Sequence, residues 1–414
     1  MSTNMVSWSN LPHVLLPHIF QYLSTSTILH SVTLVNKSWS TQSKHTLCWC
    51  NNVLYINNLS NDMLLLDWLD NNISSSLYGL HISRTLNLQL TINLIERYSS
   101  LQYLRIATPI VCDYKEWTIN DDDCFQLQQL YSLQYIDLDT AWNITDVGIS
   151  YITQCKSLHT LILRSPSQLT DISLQYISKL SGLHRLQLLL TSAGADNSRF
   201  TARGFCCLRQ LKQLHSFTLW NCCCNDGVLE YIGGITSLTY LDLDGCDNIS
   251  GEAYQYLSNM KLHELSLSRS QLTDTALLYI GKIYTLTRLK IIQNSQLTDI
   301  GISYLVNLTN LTNLNILRNT ALTDQSIQCI SGLTNIHTLD ISGCSLLTDQ
   351  SCIYLHNMTQ LISLHMLACT NINDDAVDEL RSKLPRLMKL RHRRSTHSRR
   401  GTITYNSNDS QIVM

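Results

Sequence analysis

The chain has 414 residues, 44% of them apolar, 14% charged and 7% aromatic, a globular composition spread over a length too great for one ordinary core. No apolar run approaches the ~18 residues of a membrane span and no basic-then-apolar leader opens the sequence, so a soluble protein of the cytoplasm, the nucleus or both is expected, with no membrane partner. The net charge of −2 hides a split: residues 381–400 hold nine of the 29 Lys and Arg and no acid, leaving 20 bases against 31 acids elsewhere, a balance that argues against nucleic acid as the main ligand.

Residues 1–50 read as a small helical module. LPHVLLPHIFQYL places Leu15, Leu16, Ile19, Phe20 and Leu23 at helical spacing with Pro17 opening the main turn, and ILHSVTLVNKSW does the same with Ile28, Leu29, Val32, Val35 and Trp39. Fifty residues bury too little surface to be stable alone, so a packing partner is expected. The plainest candidate is the rest of the chain, which this module would then cap. Residues 51–76 form the connecting segment.

From 77 to 392 the chain repeats one phrase. The pattern Leu-x-x-Leu-x-Leu begins at Leu77, Leu101, Leu133, Leu158, Leu183, Leu214, Leu238, Leu262, Leu286, Leu311, Ile336, Leu361 and Leu387, mostly every 24 to 26 residues. That period lies within the range of leucine-rich repeats. Leu-x-Leu alternates and predicts a short strand with its leucines turned inward. The second half, as in LTDIGISYL from Leu297, predicts a short helix, in which Thr caps free N–H groups and Asp favours the positive end of the dipole. A small residue comes next in most copies (Gly148, Ser173, Gly204, Ala276, Gly301, Ser326) and is expected to let the helix lie close on the strand layer; a later Tyr is read as packing.

Cys222, Cys246, Cys344 and Cys369 stand eight residues after the first Leu of their strands, where sister copies have Asn294 and Asn319. Exchange of Cys with Asn predicts a turn residue that bonds the backbone of the neighbouring turn. Cys206 and Cys207 with Cys222, Cys223 and Cys224 offer a second reading as zinc ligands, but no Cys-x-x-Cys pair faces another, so no metal, disulfide framework or cofactor is expected.

Together, L-x-x-L-x-L-x-x-C/N and L-T-D-x-small-L-x-x-L resemble the cysteine-containing class of leucine-rich repeats. The resemblance implies an α/β solenoid over residues 77–392: a horseshoe of about 13 repeats with a concave parallel sheet and convex short helices. The N-terminal module resembles the F-box. Leu11, Pro12, Leu15, Leu16, Ile19, Phe20, Leu23, Leu29, Val35 and Trp39 fall in that family's order, with Leu47 and Trp49 similar to its closing Leu-Trp. Val14 and Thr27 depart from it, standing where the family usually has acids. Those ten residues would dock a Skp adaptor and, through it, a cullin-RING ubiquitin ligase. The chain is therefore similar to the F-box and leucine-rich-repeat proteins, which carry protein substrates to such a ligase; the alternative is a scaffold or inhibitor outside ubiquitin chemistry.

In such a horseshoe the third and fifth places of each strand segment face the concave side. The candidates for a substrate, whose identity is open, are Tyr103, Arg105, Tyr135, Asp137, Trp220, Tyr240, Asp242, Asp244, Arg288 and Lys290, because exposed aromatics anchor interfaces and charges select partners. Two longer connections, within ATPIVCDYKEWT and LLTSAGADNSR, read either as loops projecting from one rim or as drift between repeats. Residues 393–414 form a basic end, expected to be flexible, for which import signal, acidic-surface contact and solubilising tail all remain open. No catalytic residue is expected, since neither a phosphate-cradling Gly loop nor a nucleophile elbow is present and too few residues come after the repeats for a ligase domain.

Overall fold

The computed structural model describes residues 53–56, 77–82, 100–107, 119–139, 141–191 and 199–392. The adaptor-docking residues, residues 108–118 and 192–198 of the two rim segments, and the basic end lie outside these residues. No described helix is long and apolar enough to cross a membrane.

One parallel sheet runs through the described residues, with its strands in sequence order. They are β1 (Val53–Ile56), β2 (Gly79–Ile82), β3 (Tyr103–Ile106), β4 (Tyr135–Leu138), β5 (Thr160–Arg164), β6 (Arg185–Leu189) and β7 (Ser216–Trp220). The second half of the sheet holds β8 (Tyr240–Asp242), β9 (Glu264–Ser266), β10 (Arg288–Lys290), β11 (Asn313–Asn315), β12 (Thr338–Asp340), β13 (Ser363–His365) and β14 (Lys389–Arg391). The sheet thus starts one strand before the first Leu-x-x-Leu-x-Leu, because Val53 pairs with Gly79 and Ile56 with Ile82. Short helices such as Asp146–Ile152, Asp274–Ile280 and Asp349–Leu355 alternate with the strands. The architecture is the expected leucine-rich-repeat solenoid.

The first, fourth and sixth places of each phrase build the core: Leu133, Ile136, Leu138, Leu286, Leu289 and Ile291 are all buried, and each contributes about 1.5–3 kcal/mol. Helices of seven residues are too short to persist alone, so burial of Ile149 and Ile152, or Leu277 and Ile280, is what holds them.

Two polar ladders lock one coil to the next. Just after β5 and β7 to β13, Ser165, Asn221, Gly245, Arg269, Gln293, Arg318, Gly343 and Ala368 turn through positive φ. After β8 to β13 the next residue along points back into the preceding coil. Cys246 donates to Leu219 O (3.3 Å), Ser270 to Leu243 O (3.0 Å), Asn294 to Leu267 O (2.9 Å), Asn319 to Ile291 O (2.6 Å), Cys344 to Ile316 O (3.4 Å) and Cys369 to Ile341 O (3.2 Å). The exchange of Cys with Asn has this basis, and Ser270 fills the same place.

On the helix side, the Asp of each Thr-Asp pair does more than favour a dipole. Asp146 accepts from Thr170 N (2.9 Å) and Thr170 Oγ1 (2.6 Å), and Asp299 accepts from Thr323 N (2.9 Å) and Thr323 Oγ1 (2.6 Å). Asp121, Asp171, Asp274 and Asp324 make the same pair of bonds to Thr145, Thr201, Thr298 and Thr348. The small residue therefore has a different cause from the one expected. A Cβ at Gly148, Gly204 or Gly301 would collide with the carboxylate of Asp121, Asp171 or Asp274 rather than with the strand layer.

Partial burial opposes the charged form of Asp146 and of Asp299. Hydrogen bonds from Ser173 and Thr170, and from Ser326 and Thr323, outweigh it and bring both pKa values below the ordinary carboxylate value. A carboxylate with a lowered folded pKa contributes stability that is complete above the unfolded value, about 3.9, and is lost as pH falls through the folded value. The double variant Asp146→Asn/Asp299→Asn should lose about 1 kcal/mol per site at pH 7. Urea midpoints measured from pH 7 to about pH 2.5 should show wild type approaching the variant only below about pH 4; a gap that stays constant would show that the carboxylate charges do not contribute.

Candidate protein-binding surface

Strand register lays the third-place residues in one row across the concave face and the fifth-place residues in another. Tyr103, Tyr135, Thr160, Arg185, Ser216, Tyr240, Glu264 and Arg288 succeed one another on adjacent strands. Arg105, Asp137, Ile162, Gln187, Thr218, Asp242, Ser266 and Lys290 run beside them. Eight of the ten sequence-derived substrate candidates lie in these rows, while Trp220 ends β7 and Asp244 stands two residues past β8, and they form two separate groups and not one surface.

The first group spans β3 to β5. Tyr103 and Tyr135 stack with ring centroids 4.4 Å apart. Asp137 is only 1% exposed, so it is floor rather than free surface. It lies between Arg105 (Nε–Oδ2 3.4 Å) and Arg164, whose Nε and Nη2 bond both carboxylate oxygens at 3.1 and 3.2 Å. Burial works against the Arg164 charge, yet the Asp137 bonds raise its pKa. Arg164 ends β5 in the place that Trp220 holds at the end of β7, two residues beyond the fifth-place row, so the reading that selects Trp220 also reaches Arg164, which was missed.

The second group spans β7 to β10. Tyr240 donates its hydroxyl to Asp242 Oδ2 (3.3 Å), and the backbone N–H of Asp244 bonds Asp242 Oδ1 (3.1 Å). Asp242 is 7% exposed. Burial raises its pKa, opposed by the Trp220 indole N–H, which approaches the carboxylate closely enough to favour its charge but without full hydrogen-bond geometry. Burial and the Asp242 charge push the Tyr240 phenol up. Asp244 pairs with Arg269 (3.0 Å), and Glu264 pairs with Arg288 (2.8 Å) and Lys290 (3.9 Å). Glu264 was missed although it stands in the third place of LHELSL, where the rule that selects Tyr240 also reaches it. Within this group Asp242 and Glu264 are buried and Asp244 is partly covered, while the bases are half-exposed, so the charges a partner meets are mainly basic.

Near the C-terminal end, His365 Nδ1 lies 3.6 Å from Asp340 Oδ2, and its Nε2 lies 3.2 Å from Ser363 Oγ. Burial lowers the His365 pKa against the pull of Asp340, with Arg391 and Lys389 adding to the lowering.

The cysteines fall into structural and accessible sets. Burial pushes the Cys155, Cys344 and Cys352 thiols up to about 12 and Cys369 to about 11. Cys206 and Cys207 are half-buried with sulfurs 3.9 Å apart, and Cys223 is exposed. Among the described residues, no three His, Cys, Asp or Glu side chains are arranged to hold a metal ion.

Comparison with known proteins bears on both parts of the chain. Residues 8–54 match the F-box-like family model. No curated protein matches the chain. The crystal structure of the Rad7 and Elc1 complex in yeast contains a chain similar to this one at 15% identity, covering 96% of this chain and 93% of that one with a TM-score of 0.54. Two Listeria monocytogenes structures are also similar: an internalin (18% identity, 76% of this chain and 80% of that one, TM-score 0.49) and the functional domain of InlJ (17%, 71% and 59%, 0.40). The chain thus carries an F-box-like segment ahead of a leucine-rich-repeat solenoid.

Thiol reactivity tests the structural reading of the cysteines, because only an exposed or activated thiol reacts quickly. Alkylation of the folded protein at pH 7 should label Cys223 first and leave Cys155, Cys344, Cys352 and Cys369 untouched, whereas unfolding without reductant should release all 15 cysteines to the label. Peptide mapping by mass spectrometry reads both; protected disulfides or bound zinc would contradict it.

Proposed function

We propose that this protein is the substrate-recognition subunit of a Skp-cullin-F-box ubiquitin ligase, acting by binding rather than by catalysis in the cytoplasm or the nucleus. The F-box-like match over residues 8–54 carries this reading. Within it, Leu11, Pro12, Leu15, Leu16, Ile19, Phe20, Leu23, Leu29, Val35 and Trp39 dock the Skp adaptor, and the solenoid presents its concave face to a protein substrate. A likeness to a chain crystallised in a two-protein complex, Rad7 with Elc1, is in keeping with a subunit of an assembly. The concave rows suit the role: a rigid parallel sheet holds aromatic rings and charged groups in fixed register, so a partner meets them already ordered.

Adaptor docking and substrate capture are separable. Pro12→Ala with Ile19→Ala should abolish co-purification of a Skp adaptor while the circular dichroism of the solenoid stays unchanged; undiminished adaptor binding would sink the assignment. Trp220→Ala with Tyr240→Ala should leave the adaptor bound and weaken capture of substrate at least tenfold, since a desolvated aromatic anchor contributes ~2 kcal/mol or more. Affinity capture with quantitative mass spectrometry reads both pairs in one experiment. Capture that survives the second pair would move the anchor to the Tyr103–Tyr135 group.

A further inference from the structure

The Trp220–Tyr240–Asp242 group differs from the other charged groups of the concave face. Asp137, Asp244 and Glu264 each meet an arginine within 3.4 Å. Asp242 forms no ion pair among the described residues although it is 7% exposed; what it receives are the phenol of Tyr240, the backbone of Asp244 and the nearby indole of Trp220. On the convex side, Tyr176, Tyr231 and Tyr279 each carry a cation of this chain over the ring, Lys179, Arg209 and Lys282 at 4.8 to 5.1 Å. No described cation stands over Trp220 or Tyr240 in that way.

We propose that Trp220, Tyr240 and Asp242 form a subsite for one basic side chain of the partner, an arginine or a lysine, lodged on the two ring faces above the carboxylate. The proposal rests on the concave face being the substrate surface. A carboxylate that accepts from a phenol and draws on an indole N–H leaves both rings richer in electrons, and a cation is attracted to such a face more strongly once water is excluded. Room for a long side chain comes from β7 beside Tyr240, where the half-buried Ser216 is a short residue between Arg185 of β6 and Tyr240 of β8, while the buried Thr218, met by Gln187 at 3.4 Å, closes the floor opposite Asp242. Arginine fits better than lysine, because a planar guanidinium stacks on a ring and forks onto a carboxylate. The surroundings also limit the partner. Arg185 acts on Tyr240 and Lys290 on Asp242 at longer range, with Lys290 held by Glu264, so a second positive charge beside the first is repelled. The preferred segment has a single basic residue between uncharged neighbours.

The test uses the full chain with its indole N–H groups labelled with nitrogen-15. The protein has seven Trp, and Trp220→Phe identifies the Trp220 signal. The probes are acetylated, amidated Gly-Ser-X-Ser-Gly peptides in which X is Arg, Lys, norleucine or Glu. The Arg peptide should shift the Trp220 signal saturably, the Lys peptide should do so more weakly, and the other two should leave it in place. Asp242→Asn should weaken the Arg peptide at least threefold, and Tyr240→Leu should do the same, which keeps the test decisive if one variant fails to fold. No shift with Arg, an equal shift with norleucine, a stronger one with Glu, or unchanged binding in both variants would overturn the proposal. Adaptor co-purification, read separately through Pro12 and Ile19, is unaffected by any of these outcomes, so loss of the subsite and loss of the ligase reading are told apart.

Discussion

Each coil of this solenoid leaves one flank of its leucine core bare and half of its strand's peptide groups without partners, and only the next coil can cover both. That constraint explains why the phrase repeats and why it must repeat in register. It also explains where the recurrent polar residues of the phrase go. The Asn, Cys or Ser after each of β8 to β13 reaches back to a carbonyl of the previous coil, and the Asp of each Thr-Asp pair reaches forward to the cap of the next helix. One ladder runs behind the sheet and the other along the helices, so neighbouring coils are tied at two separated points and cannot pivot about one. Nearest-neighbour ties of this kind make stability a sum over coils and interfaces.

Because core and ladders satisfy the backbone, the concave rows are released from any structural duty and can vary. They vary in a patterned way. Where a carboxylate enters a row it sinks to the floor and a base from a neighbouring strand covers it, as with Asp137 under Arg105 and Arg164 or Glu264 under Arg288 and Lys290. Bare carboxylates packed side by side on a sheet would cost more than isolated ones, so cross-strand charge pairing is the stable arrangement. Asp242, bonded by uncharged donors, is the departure from that pattern.

Much of this could be read from the sequence. Leu-x-x-Leu-x-Leu at a period near 25 gives strands, their inward faces and the solenoid, and exchange of Cys222, Cys246, Cys344 and Cys369 with Asn294 and Asn319 gives the turn ladder. The first strand escaped because VLYI at Val53 carries the alternation without the phrase. The reason for the small helical residue escaped because it lies in the preceding repeat: Gly148 is small on account of Asp121, 27 positions away, and a local periodicity cannot show such a pair. Eight of the ten concave candidates stand in the third- and fifth-place rows, but which of them is exposed was not legible. Exposure depends on the length of the side chain one strand over, so Asp137 and Asp242 look alike in sequence while one is held by two arginines and the other by an aromatic pair.

That dependence on the neighbouring strand has a consequence for how such a surface evolves specificity. In a parallel sheet with strands ~4.8 Å apart, a concave side chain is flanked by the same place in the repeats before and after it. A substitution at Ser216 therefore acts on Tyr240 and Arg185 at once, since all three share one row across β6, β7 and β8. A longer side chain there would fill the space beside Tyr240 and crowd Arg185 without touching the core or either ladder. Recognition can thus be retuned one row at a time while the solenoid stays intact, which is the physical advantage of writing the scaffold in the leucines, the Asp-Thr pairs and the Cys/Asn turns, and writing the binding surface in the residues between them.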